Sequence, residues 1–121
     1  MKKYIILIPI YNDRESLTKL IERINEEVNG LNAEISIIVI NDASSQQILD
    51  NYSNTKNINS IEIINMKQNR GHTRCIASGL KYIFEKKEFD YVIPMDGDGE
   101  DRPEEIKNFI QVAEQSDNKS I

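Results

Sequence analysis

One cysteine in 121 residues removes any internal disulfide and fits a reducing compartment. That cysteine, Cys75, falls inside a helical pattern and reads as a small buried residue. No apolar run approaches the ~20 residues of a membrane span. Lys2-Lys3 ahead of Tyr4–Ile10 is only a faint echo of a signal peptide: the run is short, passes straight into Asn12-Asp13-Arg14-Glu15, and has no small-residue cleavage site. An excess of positive charge is also missing. With 15 basic and 20 acidic residues the formal net charge is −5, which argues against a nucleic-acid partner. An anionic ligand would therefore need local positive charge or a metal. No glycine-rich loop follows the first apolar run, which excludes a Rossmann dinucleotide site and a P-loop. There is no internal repeat and no linker.

What is present is one domain's worth of globular chain, 39% apolar and 29% charged. Four apolar runs, Tyr4–Ile10, Ile35–Ile40, Ile61–Ile64 and Tyr91–Met95, are dense in Ile and Val and barely alternate. That is the signature of parallel strands buried on both faces. Between them, Leu17, Leu20, Ile21, Ile24 and Val28 keep helical spacing, with Asn12 and Glu15 as a capping pair. Ile48, Leu49 and Tyr52 predict a short second helix, and Ile76, Ala77, Leu80, Ile83 and Phe84 a third. Ile106, Phe109, Ile110 and Ala113 predict a fourth, entered through Pro103. Residues 53–60 are polar and Asn-rich and read as a surface loop. The alternation of strand and helix predicts an α/β fold with an open, doubly wound, mostly parallel sheet.

The last strand runs into Asp96-Gly97-Asp98-Gly99-Glu100-Asp101. If the strand persisted, Asp96 and Asp98 would share one side; otherwise a turn gathers them. Carboxylates this close repel one another, and a hard cation with oxygen ligands relieves the repulsion. An EF-hand does not fit. Counted from Asp96, the sixth loop position is Asp101 where Gly is needed, and the twelfth is Lys107 where Glu is needed. Asp-Gly-Asp-Gly is also ordinary turn chemistry, so the run is weak alone. Its weight comes from the other strand ends, because open α/β sheets bind ligands beyond the carboxyl ends of their strands. The first ends in Pro9-Ile10-Tyr11-Asn12-Asp13, the second in Asn41-Asp42-Ala43-Ser44, and the third leads into Lys67-Gln68-Asn69-Arg70-Gly71-His72.

Those pieces, in that order and spacing, resemble the amino-terminal, nucleotide-binding half of a family 2 glycosyltransferase with the GT-A fold. The resemblance covers nearly the whole chain. Asp96-Gly97-Asp98 with Glu100 and Pro103 is most similar to the polyprenyl-phosphate sugar transferases, near those using dolichol phosphate. The resemblance implies strand order 3-2-1-4 and a UDP- or GDP-sugar donor. Pro9, Tyr11, Asn12 and Asp13 would line the base and ribose pocket, and Asp42 would accept from the ring N–H of uracil or guanine. Asn69, Gly71 and His72 would sit near ribose and diphosphate. Asp96 would face the ribose and, with Asp98 and Glu100, hold Mn2+ or Mg2+.

The resemblance also implies a lipid-linked acceptor such as a polyprenyl phosphate, and a role in envelope polysaccharide synthesis. Residues 1–121 would form the donor half of a larger domain, working in the cytoplasm or at the cytoplasmic face of a membrane. The catalytic base is assigned to no residue here and is expected beyond Ile121, so this chain alone is expected to be inactive. An exposed sheet edge leaves room for self-association. The alternative is a module that binds nucleotide and metal, or a partner, without catalysis. A phosphotransferase of the haloacid-dehalogenase kind is disfavoured because its Asp-x-Asp comes early in the chain, and a nucleotidyltransferase because the glycine-rich loop is absent.

Overall fold

The computed structural model describes residues 1–45, 52, 55–95 and 102–118. Among them the order is β1 (Lys2–Ile10), α1 (Arg14–Glu27), β2 (Ala33–Asn41), β3 (Ser60–Asn65), α2 (His72–Lys86), β4 (Tyr91–Pro94) and α3 (Glu104–Asn118). All strand pairs are parallel and the sheet order is β3-β2-β1-β4, as the resemblance implied. Ile8 of β1 lies opposite Val39 of β2, and Tyr4 lies opposite both Ile35 and Tyr91.

The dense apolar runs are explained by burial on both faces. On β1, Tyr4, Ile6, Ile8 and Ile10 pack with Leu17, Leu20, Ile21 and Ile24 of α1 and with Ile106 and Ile110 of α3. The alternate residues Ile5 and Leu7 pack with Ile38, Ile40 and the α2 residues Cys75 and Ile83. One face of the sheet is therefore covered by α1 and α3, the other by α2. Burying side chains of this size is worth about 1.5–3 kcal/mol each, so β1 is the fold's central support. Tyr4 is a packing residue: its ring stacks on Tyr91 at 5.3 Å and its hydroxyl donates to Glu114 at 2.9 Å.

Three details differ from what the sequence predicts, and one prediction falls outside the described residues. The α1 cap is Asp13 rather than Asn12, and the Asp13 side chain makes no capping hydrogen bond. Asn12 has a positive φ of 52° and is committed elsewhere. The short helix about Ile48 and Leu49 lies outside the described residues, and Tyr52 is in irregular backbone. The 53–60 loop is not wholly a surface feature, because Ile58 is only 8% exposed. Asn25 on α1 holds that loop, accepting from the Asn57 N–H at 2.8 Å. β4 ends at Pro94, yet the Met95 N–H still donates to the Leu7 carbonyl at 2.8 Å.

Gly79 lets α2 approach the sheet. A β-carbon there would lie 2.6 Å from Leu7 Cδ1 and 3.2 Å from Ile40 Cγ1. Gly79→Ala gains about 1 kcal/mol of helix propensity, but overpacking costs about 1–3 kcal/mol. The expected result is a net loss, read as a lower urea midpoint at unchanged slope; a raised midpoint would show that Leu7 moves aside freely.

Candidate functional site

Because every strand is parallel, four carboxyl ends meet along one edge of the sheet, and the chain's own polar groups knit them together there. The Asp42 N–H donates to the Ile10 carbonyl at 2.9 Å, and the Met66 N–H to the Asn41 carbonyl at 2.8 Å. Asn41 is buried; its Nδ2 donates to Asn65 Oδ1 at 2.9 Å while its Oδ1 accepts from the Ser44 N–H at 3.1 Å. Asn12 bridges the ends of β1 and β2: its N–H donates to Ser44 Oγ at 2.8 Å, and its Oδ1 accepts the Ser45 N–H at 2.8 Å. Asn tolerates the left-handed backbone this turn needs. Ala43, with φ 58°, has no such excuse and carries backbone strain within this edge.

Asp42 lies at the centre of that edge and is 4% exposed. Its Oδ1 accepts the Arg70 N–H at 2.7 Å and its Oδ2 the Gly71 N–H at 2.9 Å. Asn69 Nδ2 donates to the Asp42 carbonyl at 3.3 Å. Gly71, at φ 88° and ψ 162°, occupies backbone space essentially reserved for glycine, and this conformation turns its N–H onto the carboxylate. Burial alone would raise the Asp42 carboxyl, but the Arg70 and Gly71 N–H groups and the Cys75 thiol outweigh it and hold it below its ordinary value. Reciprocally, burial first and then the bond to Asp42 push the Cys75 thiol up to about 12. Cys75 is fully buried and its thiol is held protonated, so it is not poised as a nucleophile.

The residues singled out from the sequence are therefore partly brought together. Tyr11 is 53% exposed beside the edge and Asp13 is half-buried. Asn69, Gly71 and His72 are exposed at the start of α2. Pro9 is buried within β1 opposite Ile40, and Asp42 is turned onto the chain's own loop. Asp96, Asp98 and Glu100 lie outside the described residues; the chain enters them from Met95 at this same edge. Among the described residues no group of three or more His, Cys, Asp or Glu side chains could hold a metal.

A profile described as Glycosyl transferase family 2 matches residues 5–121. The chain belongs to that family. It is 32% identical over 118 residues to the undecaprenyl-phosphate 4-deoxy-4-formamido-L-arabinose transferase of Proteus mirabilis (strain HI4320). The match takes in 95% of this chain and 35% of that relative, so the chain spans about a third of the relative's length.

Several site residues of this glycosyl transferase family 2 chain escaped the sequence reading. Ser44 and Ser45 partner Asn12 across more than thirty residues of chain. Asn65 partners Asn41 across the strand ends. Cys75 was expected to be buried but not to lie near enough to Asp42 to shift with it; its signal was its place four residues after Gly71, one turn into α2.

Proposed function

We propose that this chain binds the nucleotide-diphosphate-sugar donor, a UDP- or GDP-sugar, for glycosyl transfer to a lipid phosphate. The observation that supports it most is the strand-end edge, where Asp42 fixes the Asn69–Gly71 loop beside an exposed Tyr11. Family membership supports the sugar-transfer class, and the relative's printed name supports an acceptor of the undecaprenyl-phosphate kind.

In this reading Tyr11 offers its ring to the base, and Asp13 reaches the ribose. Asn69, Gly71 and His72 face the diphosphate at the amino end of α2, where the helix dipole favours anions. Pro9 and Asp42 shape the floor from below, with a remaining Asp42 lone pair available to the base N–H. Asp96, Asp98 and Glu100 would hold Mn2+ or Mg2+, since an all-carboxylate donor set suits a hard cation. The ion, when bound, would neutralise the diphosphate as it leaves. No residue of this chain is assigned as the general base.

Saturation-transfer NMR with uridine and guanosine diphosphates in Mg2+ tests the reading. Base and ribose protons of one of them should receive saturation. Tyr11→Ala should weaken binding by about 1–3 kcal/mol, the worth of one base–aromatic stack, with the base protons losing most signal. No saturation of either nucleotide would sink the proposal.

A further inference from the structure

Charge is segregated along this chain. Residues 63–84 contain no Asp or Glu and carry Lys67, Arg70, Arg74 and Lys81, in a protein of formal net charge −5. All four are exposed, and none forms an ion pair among the described residues. Elsewhere Lys3 pairs with Glu88 at 3.2 Å, Lys19 with Glu15 at 3.3 Å, Arg23 with Glu104 at 3.4 Å and Lys87 with Glu62 at 3.0 Å. Lys86, Arg102 and Lys107 each have an acid within two residues in sequence, and Lys56 stands singly between Asp50 and Glu62. The two faces of the sheet differ accordingly. On one, α1 carries Glu15, Glu22, Glu26 and Glu27, and α3 opens on Glu104 and Glu105. On the other, α2 has no acid before Glu85.

Arg74, Ala77, Ser78 and Lys81 stand at i, i+3, i+4 and i+7, so they form one exposed stripe along α2. At its upper end Arg70 and Arg74 flank a trough of about 400 Å³ whose other walls are Met66, Ala77 and Ser78. Two guanidinium groups over an apolar and small-residue floor match a phosphodiester with the first methylenes beneath it. Guanidinium binds phosphate oxygens in bidentate fashion, and the small floor residues allow close approach.

We propose that this Arg70–Arg74 face of α2 docks the protein on anionic lipid headgroups of a membrane surface. The surface itself stands on its unpaired cations and trough. The choice of a membrane over other polyanions rests on the lipid-phosphate acceptor proposed above. The trough is lined by Met66, just after β3, and by the start of α2, away from Tyr11 and Asp13 at the end of β1. Arg70 joins it to the Asn69–Gly71 loop placed at the diphosphate.

Co-sedimentation of the 121-residue chain with vesicles tests the proposal. One set is phosphatidylcholine alone; in the other about a third is phosphatidylglycerol, and neither contains polyprenyl phosphate. Binding is expected on the anionic vesicles, to weaken with salt and to be near background on the neutral ones. Each basic residue at such a surface is worth about fivefold in partitioning, so Arg70→Gln/Arg74→Gln should lose roughly thirtyfold. The charge-matched control Lys56→Gln/Lys107→Gln, on a loop and on α3, should bind like the parent.

Equal binding to both vesicle types, no binding to either, or an equal loss in the control pair would overturn the proposal. Displacement from the vesicles by single-stranded RNA at higher affinity would assign the face to nucleic acid instead. A larger gain from polyprenyl phosphate than from phosphatidylglycerol at equal charge would assign it to the acceptor. Nucleotide binding is read separately. Its survival alongside failed vesicle binding would remove this inference alone, and the converse would remove the donor-site reading alone.

Discussion

Asp42→Asn is expected to destabilise the protein and to loosen the nucleotide loop at the same time. The substitution keeps the side chain's size but turns one acceptor oxygen into an NH2 group. Arg70 and Gly71 both present N–H groups to this side chain, at 2.7 and 2.9 Å. Asparagine can accept only one of them and must set a donor against the other. A hydrogen bond to a charged group is worth about 1.5–3 kcal/mol, so a loss of roughly 2 kcal/mol is expected at neutral pH. Amide exchange at residues 70 and 71 should quicken, and nucleotide affinity should fall by about tenfold or more, on the same per-bond scale. The effect carries a pH signature. The Asp42 carboxyl is held below its ordinary value in the folded protein, so its contribution is complete above the unfolded value of ~3.9. It is lost as pH falls through the folded value. The gap in urea midpoint between parent and variant should thus be constant near neutrality and shrink below about pH 4. An unchanged midpoint and unchanged affinity would show that the loop holds its shape without the carboxylate.

Asp98→Ala should abolish most of the metal dependence of nucleotide binding while leaving the fold intact. It deletes one proposed metal oxygen from a segment that follows β4. Losing even an outer-shell partner of a metal costs about 10–100-fold in affinity, so a direct ligand should cost at least about 100-fold. The protein carries a net charge of −5, so a diphosphate meets general repulsion unless a cation offsets it. Titration of Asp98→Ala in chelator should match the parent in chelator, and added Mn2+ should restore little. Full restoration by Mn2+ would remove Asp98 from the ligand set.

The sheet could be read from sequence because its signal is local. Ile5, Ile6, Leu7 and Ile8 are all buried, each facing one helix layer or the other, and a run buried on both faces looks the same whatever lies next to it. Strand limits were less visible. Ala33, Glu34 and Asn41 belong to β2 through pairing with Lys2, Lys3 and Ile10, not through hydrophobicity. The position of Asp42 at a strand end was legible, but its partners were not. They come from a loop 28 and 29 residues later, and the conformation of Gly71 that aims them is invisible in the letter G. Asn12 shows the same limit. Local pattern made it a helix cap, while a partner 33 residues away claimed its side chain. Cys75 was legible as buried because burial follows from helical periodicity, but its influence on the Asp42 carboxyl depends on where α2 docks.

The central claim is that this strand-end edge holds a nucleotide diphosphate together with a divalent cation. Calorimetric titration of the unmodified chain with uridine and guanosine diphosphates, once with Mn2+ and once with chelator, tests it most directly. The account predicts saturable one-to-one binding of one of the two nucleotides with Mn2+, weakened at least tenfold in chelator, a difference of about 1.4 kcal/mol or more. Equal affinity with metal and with chelator, or no binding of either nucleotide, would contradict it.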